Sequence, residues 1–345
     1  MAAGTDEYRR SHIVERKARS VRIHHFGGPE VLRIEDGVVG SPGLGEVRLD
    51  IRAIGLNRTE VTLRSGRSPI NPSLPTSIGW EAAGVIDEVG PDVENWRSGD
   101  RVALVPAYGA AQYALYSEAA IAPARSLVAI PDEQTFEQAA ATWAAFGTAW
   151  AGLISVGNLK NGDTVLISAA SSSVGLAAIQ TAIRVGARPI ALTRTSQKSD
   201  KLLAHGAAAV LAVEEVDVVQ QVKELTSGTG AELVFDAVGG AGFSRLAEAT
   251  ATGGTLILYG ALSAEPTVVP PFQVFARDLT IRGFAFPAVV RNDERLEAVK
   301  QFVSEGILSH ALVPAIARTF TLDEIVEAHQ FLESGNQFGK TVVSV

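Results

Sequence analysis

Residues 46–54 alternate. Val47, Leu49 and Ile51 stand against Glu46, Arg48, Asp50 and Arg52, the period of two that buries one face of a strand. Residues 21–26 and 31–34 flank the turn signal Gly27-Gly28-Pro29, and further strands are expected at 84–89 and 101–105, separated by Gly90-Pro91 and Gly99-Asp100. Up to Pro131 the chain therefore reads as a β-rich unit punctuated by Pro and Gly.

After Pro131 the pattern changes. Residues 135–153 are rich in Ala and predict helix. Beyond them short apolar runs alternate with amphipathic stretches. Strands are expected at 164–168, 189–193, 210–213, 233–237 and 255–259, and helices at 174–185, 197–205, 218–226 and 243–249. Strands alternating with helices of this length predict a parallel sheet covered on both faces. A sixth strand is expected at 279–283, a helix at 291–305 carrying Leu296, Val299 and Val303 at helical spacing, and a last strand at 340–345.

Length and composition narrow this picture. A chain of 345 residues is too long for one ordinary core, so two domains are expected. The net charge of -8, with signs interspersed, argues against a nucleic-acid surface. With no Cys, disulfides, thiolate catalysis and zinc sites built on cysteine are excluded, and the six His show no metal-ligand spacing, so no metal site is expected. Residues 1–18 are polar and of mixed charge, without an apolar signal core; a disordered tail or a misplaced start on a cytoplasmic protein is expected over a cleaved organelle presequence, against which Asp6, Glu7 and Glu15 count. Residues 138–159 carry no charge and could cross a bilayer by length, but Thr142, Gly147, Thr148, Gly152 and Ser155 interrupt them. A buried helix pair at a domain junction is the better reading, with no membrane partner.

The most informative segment is 162–180. An apolar strand enters the turn Ala170-Ser171-Ser172-Ser173-Val174-Gly175 and continues as helix. In a dinucleotide-binding βαβ unit, small residues let the backbone approach a pyrophosphate, and the helix N-terminus supplies N–H groups and positive dipole. Ala170, Ser172 and Gly175 fall on the three glycine positions of G-x-G-x-x-G, and only the last keeps its glycine. The serines offer hydroxyls to phosphate oxygens. An ordinary strand-to-helix turn capped by Ser would look similar, but this one opens the first strand of the α/β run. The second strand ends in Thr193-Arg194, with Lys198 just beyond and no acid before Asp200. An NAD site would place a carboxylate there for the ribose hydroxyls. A guanidinium and an ammonium suit a 2′-phosphate instead, so NADPH is the expected cofactor.

Taken together the motifs resemble the medium-chain dehydrogenase/reductase superfamily, in its zinc-free quinone-oxidoreductase-like branch. They are FGGPEVLRIED (26–36), GLNRTEVTLRSG (55–66), GWEAAGVIDEVG (79–90), GDRV (99–102), TAWAGL (148–153), the phosphate turn and GKTVVSV (339–345). The resemblance implies an α/β fold. A GroES-like β-rich catalytic domain (19–148, returning at 285–345) would be joined to a doubly wound Rossmann domain (149–284), with the active site in the cleft. Zinc-dependent relatives use two cysteines and a histidine where this chain has Asn57, Trp80 and Ala144.

The activity implied is hydride transfer from NADPH to a quinone or an α,β-unsaturated carbonyl, whose conjugation delocalises the developing charge without a Lewis acid. The nearest alternative enzyme is an enoyl-thioester reductase. From another class comes a protein that keeps NADPH without turnover, as in relatives recruited as lens or vesicle proteins. By position Asn57 and Thr148 resemble residues lining the nicotinamide end, although Asn57 could equally cap a turn. Thr59 keeps a hydroxyl that zinc-dependent relatives use for proton relay, and Thr62 stands where many members carry Tyr. Tyr259 and Gly260 close a Rossmann strand toward the cofactor edge, and Phe284 and Lys340 complete the implied cofactor set. Trp80 is either an aromatic wall for planar acceptors or a core residue filling space. The 279–283 strand resembles the edge through which this branch forms a homodimer.

Overall fold

The computed structural model describes residues 15–69, 71–109 and 112–345. It divides into two compact units, one of Met1–Ala141, Ile316–Asn336 and Thr341–Val345 as far as these are described, the other of Thr142–Ala315 and Gln337–Lys340.

In the first unit the alternating segment is the central strand, Glu46–Gly55, with Val47, Leu49 and Ile51 buried. It pairs antiparallel with Ala82–Val89 and with Ala119–Pro123, within a seven-stranded sheet. Arg48 belongs to the polar set of the alternation yet is buried, because Asp87 (2.6 Å) and Glu88 (2.8 Å) neutralise it. Most of the expected tail 1–18 lies outside the described residues, but its last part is corrected. Arg16–Ile23 is a strand paired with Arg33–Val39, starting at Arg16 opposite Val39. Backbone partners and the burial of Ala18, Val21 and Ile23 outweigh a polar local composition. The turn expected at 27–29 continues as a 3-10 turn over Pro29–Val31, so the strand expected from Val31 begins at Arg33.

The second unit has six parallel strands, numbered here along it: β1 (Thr164–Ile167), β2 (Arg188–Thr193), β3 (Ala209–Ala212), β4 (Ala231–Asp236), β5 (Thr250–Leu258) and β6 (Thr280–Gly283). Their order in the sheet is β3-β2-β1-β4-β5-β6, every pairing parallel. This doubly wound order reverses beside β1, and all six strands end on one edge, where such sheets bind nucleotides. Leu166, Ile190, Val234, Phe243 and Leu256 lie in the core cluster of this unit.

The borders fall elsewhere than the expected 148/149 and 284/285. The helix Trp143–Trp150 packs on the helix after β1, and Asp293–Leu308 packs on Trp143–Trp150 with Leu296, Val299 and Val303 buried. Gly147 lies so close to the Phe286 ring that a Cβ would sit 2.5 Å from it. These packings draw 142–148 and 285–315 into the second unit. The apolar run 136–156, long enough to span a membrane by length and composition, is mostly buried. It forms the helices Phe136–Ala140 and Trp143–Trp150, followed by a π-helical stretch Ala151–Val156.

Candidate functional site

The phosphate turn is built as the spacing predicts. After β1 the chain passes Ser168, takes positive φ at Ala169 (46°) and enters helix α1 (Ser173–Arg184) through Ser172, whose Oγ accepts from the Gly175 amide at 3.1 Å. A Cβ on Gly175 would meet Ala170 Cα and O at 2.6 Å and Ala169 O at 2.7 Å, all backbone atoms. Glycine is therefore required here, because α1 packs directly against the turn. At Ala170 the methyl is buried, which is how a residue other than glycine is tolerated there. Ser171, Ser173 and Val174 remain half-buried around the helix start.

A strap that sequence reasoning missed crosses this turn. Gly339 N donates to Ser171 O at 3.0 Å, and Ser172 bridges to Gly339. Lys198 joins the two pieces, donating to Ser171 Oγ (3.3 Å) and to Gln337 O (3.0 Å). Burial chiefly, and then the neighbouring Arg194 and Lys201, lower the Lys198 pKa. Arg194 is exposed just past Thr193, while Ser196 N donates to Glu215 Oε1 at 3.0 Å. Lys340 is buried, its amide on Ala315 O at 2.7 Å.

Beyond β4 and β5 lies the second part of the strand-end edge. Asp236 is fully buried and accepts from Ser168 Oγ (2.6 Å), Val238 N (2.9 Å) and Gly239 N (3.0 Å), fixing the loop after β4. An Asp closing an apolar strand before Gly239-Gly240 was the signal for this residue. Tyr259 stacks on Phe235 with centroids 4.0 Å apart and leans on Phe284 at 6.3 Å. Its hydroxyl is buried without a hydrogen-bond partner, and burial together with Asp236 pushes its pKa far up, so it stays protonated. Gly260 permits a close approach, since a Cβ there would sit 2.6 Å from Ala237 O. Thr148 is half-buried on its helix.

In the first unit the remaining expected residues gather around a carboxylate. Glu60, fully buried, accepts from Asn57 N (2.9 Å, Oε2) and Trp80 N (3.1 Å, Oε1). Asn57 stands at the N-cap of the helix Arg58–Arg64 in a capping box with Glu60, and its Nδ2 donates to Gly55 O (3.0 Å) and reaches Glu81 Oε2 (3.5 Å). Thr62 Oγ1 is engaged with the Thr59 carbonyl at 2.8 Å, and Thr59 stays half-buried on the first turn. Trp80, only 7% exposed, donates from Nε1 to Tyr108 O (3.1 Å) and accepts from Tyr108 Oη at its own carbonyl (3.0 Å). Glu60 and Glu81 were missed because an acid beside a motif residue has no distinguishing spacing.

Comparison with known proteins shows the family. Residues 43–132 match the family model described as alcohol dehydrogenase GroES-like domain, and residues 173–305 match the model described as zinc-binding dehydrogenase. A quinone oxidoreductase of Salmonella typhimurium is 30% identical over 335 residues, covering 94% of this chain and 99% of that enzyme. A solved Escherichia coli quinone oxidoreductase complexed with NADPH superposes with a TM-score of 0.87 at 30% identity, over 95% of this chain and 100% of that one. A solved protein described as an NAD-dependent alcohol dehydrogenase is 34% identical with a TM-score of 0.86, over 95% of this chain and 99% of its own.

Proposed function

The chain belongs to the medium-chain dehydrogenase/reductase superfamily, in its quinone-oxidoreductase-like branch, and from that premise we propose a metal-free NADPH-dependent reductase acting on a quinone or α,β-unsaturated carbonyl. One observation carries the cofactor choice. The Lys198 ammonium is anchored on Ser171 of the phosphate turn, its pKa depressed by burial and then by Arg194 and Lys201. Arg194, Lys198 and Lys201 follow β2 with no acid in the chain from Thr193 to Ser199, and the nearby Glu215 is engaged by Ser196 N, which favours a 2′-phosphate over bare ribose hydroxyls.

The metal-free reading follows from donor chemistry. Asn57, Trp80 and Ala144, which match the zinc ligands of relatives, offer an amide, an indole N–H already given to Tyr108, and a methyl. Glu60 is occupied by two backbone N–H groups. This set does not fit zinc.

Bound NADPH supplies a hydride, which with one proton reduces the acceptor. The chain's own part is to position and to donate. The α1 N-terminus and the turn amides would hold the pyrophosphate, and Lys198 and Arg194 would hold the 2′-phosphate. Tyr259, with its unpaired hydroxyl, and Thr148 serve the nicotinamide end, and Asn57 holds its amide fixed between Gly55 and Glu81. The exposed part of Trp80, a residue held to Tyr108 by two hydrogen bonds, is proposed as an aromatic wall for a planar acceptor, although its 7% exposure suits a core residue as well.

We propose a cytoplasmic homodimer. The strand β6 lies at the outer edge of its sheet, and Val268, Val269, Phe272 and Phe275, exposed between β5 and β6, form an apolar patch that a second copy would cover. Sedimentation as a monomer of 36.2 kDa at micromolar concentration would refute this. The activity is tested by following NADPH absorbance against a panel of quinones and enones. Oxidation with acceptor is expected; tight NADPH binding with no oxidation by any acceptor would mark a binding protein instead.

A further inference from the structure

The cofactor reading leaves a cluster behind the phosphate turn unexplained. Gln180, on the third turn of α1, holds the backbone of Val313 at two points. Its Oε1 accepts from Val313 N (2.6 Å) and its Nε2 donates to Val313 O (3.0 Å). That pair settles which end of the amide is which, so the same Nε2, 2.9 Å from His205 Nε2, must be the donor. His205 Nε2 is then an acceptor, and the Leu176 backbone also engages the ring. The arrangement exists only with a neutral imidazole.

From there the connections run to the phosphate turn. Phe338 sets its ring edge-on to His205 at 6.0 Å. The Val313 loop continues to Ala315, whose carbonyl accepts from Lys340 N at 2.7 Å. Both ends of the strap 337–340 are thereby fixed, and the strap in turn presents Gln337 O to Lys198.

We propose that Gln180 and His205 are positioning residues for the 2′-phosphate lysine, and that together they make discrimination between NADPH and NADH acid-sensitive. The idea rests on the NADPH reading above. A protonated His205 carries N–H on both ring nitrogens and turns a donor toward the Gln180 donor. Rotating the Gln180 amide cures that clash only by opposing Val313 N–H with another N–H. Either way the support behind the strap, at the Phe338–His205 contact or at the Val313 loop, is strained, and with it the Gln337 carbonyl that Lys198 uses besides Ser171 Oγ.

The surroundings of His205 leave the imidazole as the group that titrates. Lys201, one turn earlier on its own helix, lies 6.0 Å over the Phe338 ring. The α1 helix offers uncharged Gln180 and a carbonyl, the Val313 loop offers backbone only, and the strap offers Phe338. Burial holds the His205 pKa below its usual value, so the clasp is intact at neutral pH and opens in acid.

The test is fluorescence titration of the full chain with NADPH and with NADH, near pH 7.5 and near pH 5. The 2′-phosphate itself gains a proton at about pH 6, which weakens NADPH binding in any variant. Wild-type protein is expected to lose about tenfold more NADPH affinity than the His205→Gln variant, whose amide oxygen accepts from Gln180 at either pH. NADH affinity is expected to stay flat in both. Gln180→Leu is expected to lose NADPH preference already at neutral pH while still binding NADH. Coincident wild-type and His205→Gln pH profiles, or undiminished preference in Gln180→Leu, overturn the proposal with the cofactor reading intact. A wild-type protein without NADPH preference near pH 7.5 overturns both.

Discussion

Substituting Gly175 by Ala tests the phosphate turn with a single carbon. That carbon would stand 2.6 Å from Ala170 Cα and O and 2.7 Å from Ala169 O. Comfortable contacts lie at about 3.5 Å, so α1 and the turn must part by roughly 1 Å. No side chain can rotate away, because every close atom is backbone. Overpacking of this kind costs about 1–3 kcal/mol of stability. The functional cost is greater where donors are aimed at phosphate oxygens. Loss of one charge-assisted hydrogen bond, about 1.5–3 kcal/mol, weakens dinucleotide binding by roughly 10- to 150-fold. NADPH and NADH carry the same pyrophosphate and should weaken together. The assay is titration of both cofactors with unfolding curves in parallel. A folded Gly175→Ala protein that binds both within twofold of wild type would refute the assignment of this turn.

The complementary change separates the two cofactors: Arg194→Ala with Lys198→Ala should weaken NADPH at least tenfold and leave NADH nearly untouched, as read by KM for each; an equal response dismisses the 2′-phosphate assignment. Acid stability has its own probe in His329, which burial and then Arg64 push down to about 3 from 6.5. Its Nδ1 lies 3.2 Å from an Arg64 nitrogen, and its Nε2 is buried without a partner. The unfolded chain takes a proton near 6.5 that the folded chain refuses. The contribution is therefore complete above 6.5 and is lost as pH falls from there toward 3, about 2 kcal/mol by pH 5. Denaturant melts of His329→Gln should show a shallower loss over that window, and an unchanged slope would count against the mechanism. Trp80→Leu should raise KM for a planar quinone more than for an aliphatic enone; identical KM values with intact folding reject the aromatic-surface role.

Much of this was legible along the chain. The six strands of the second unit, the helix after the phosphate turn and the alternating strand 46–54 follow from periodicity, which depends on neighbours two to four residues apart. The requirement for glycine at 175, the missing acid after β2 and the lack of cysteine are equally local, and they already point to a phosphorylated dinucleotide and away from zinc. What tertiary structure alone decided joins residues that are distant in sequence. Lys198 meets Gln337 across 139 positions, and Arg19 meets Glu118 across 99. Glu60 looks like any helix acid until Asn57 and Trp80 turn their amides toward it. The unit borders moved for the same reason, since Trp143–Trp150 joins whichever core covers its apolar faces. A strand or a turn is chosen by the few residues beside it. A buried polar partner is chosen by which segments exclude water together, and that is settled only when the chain has folded.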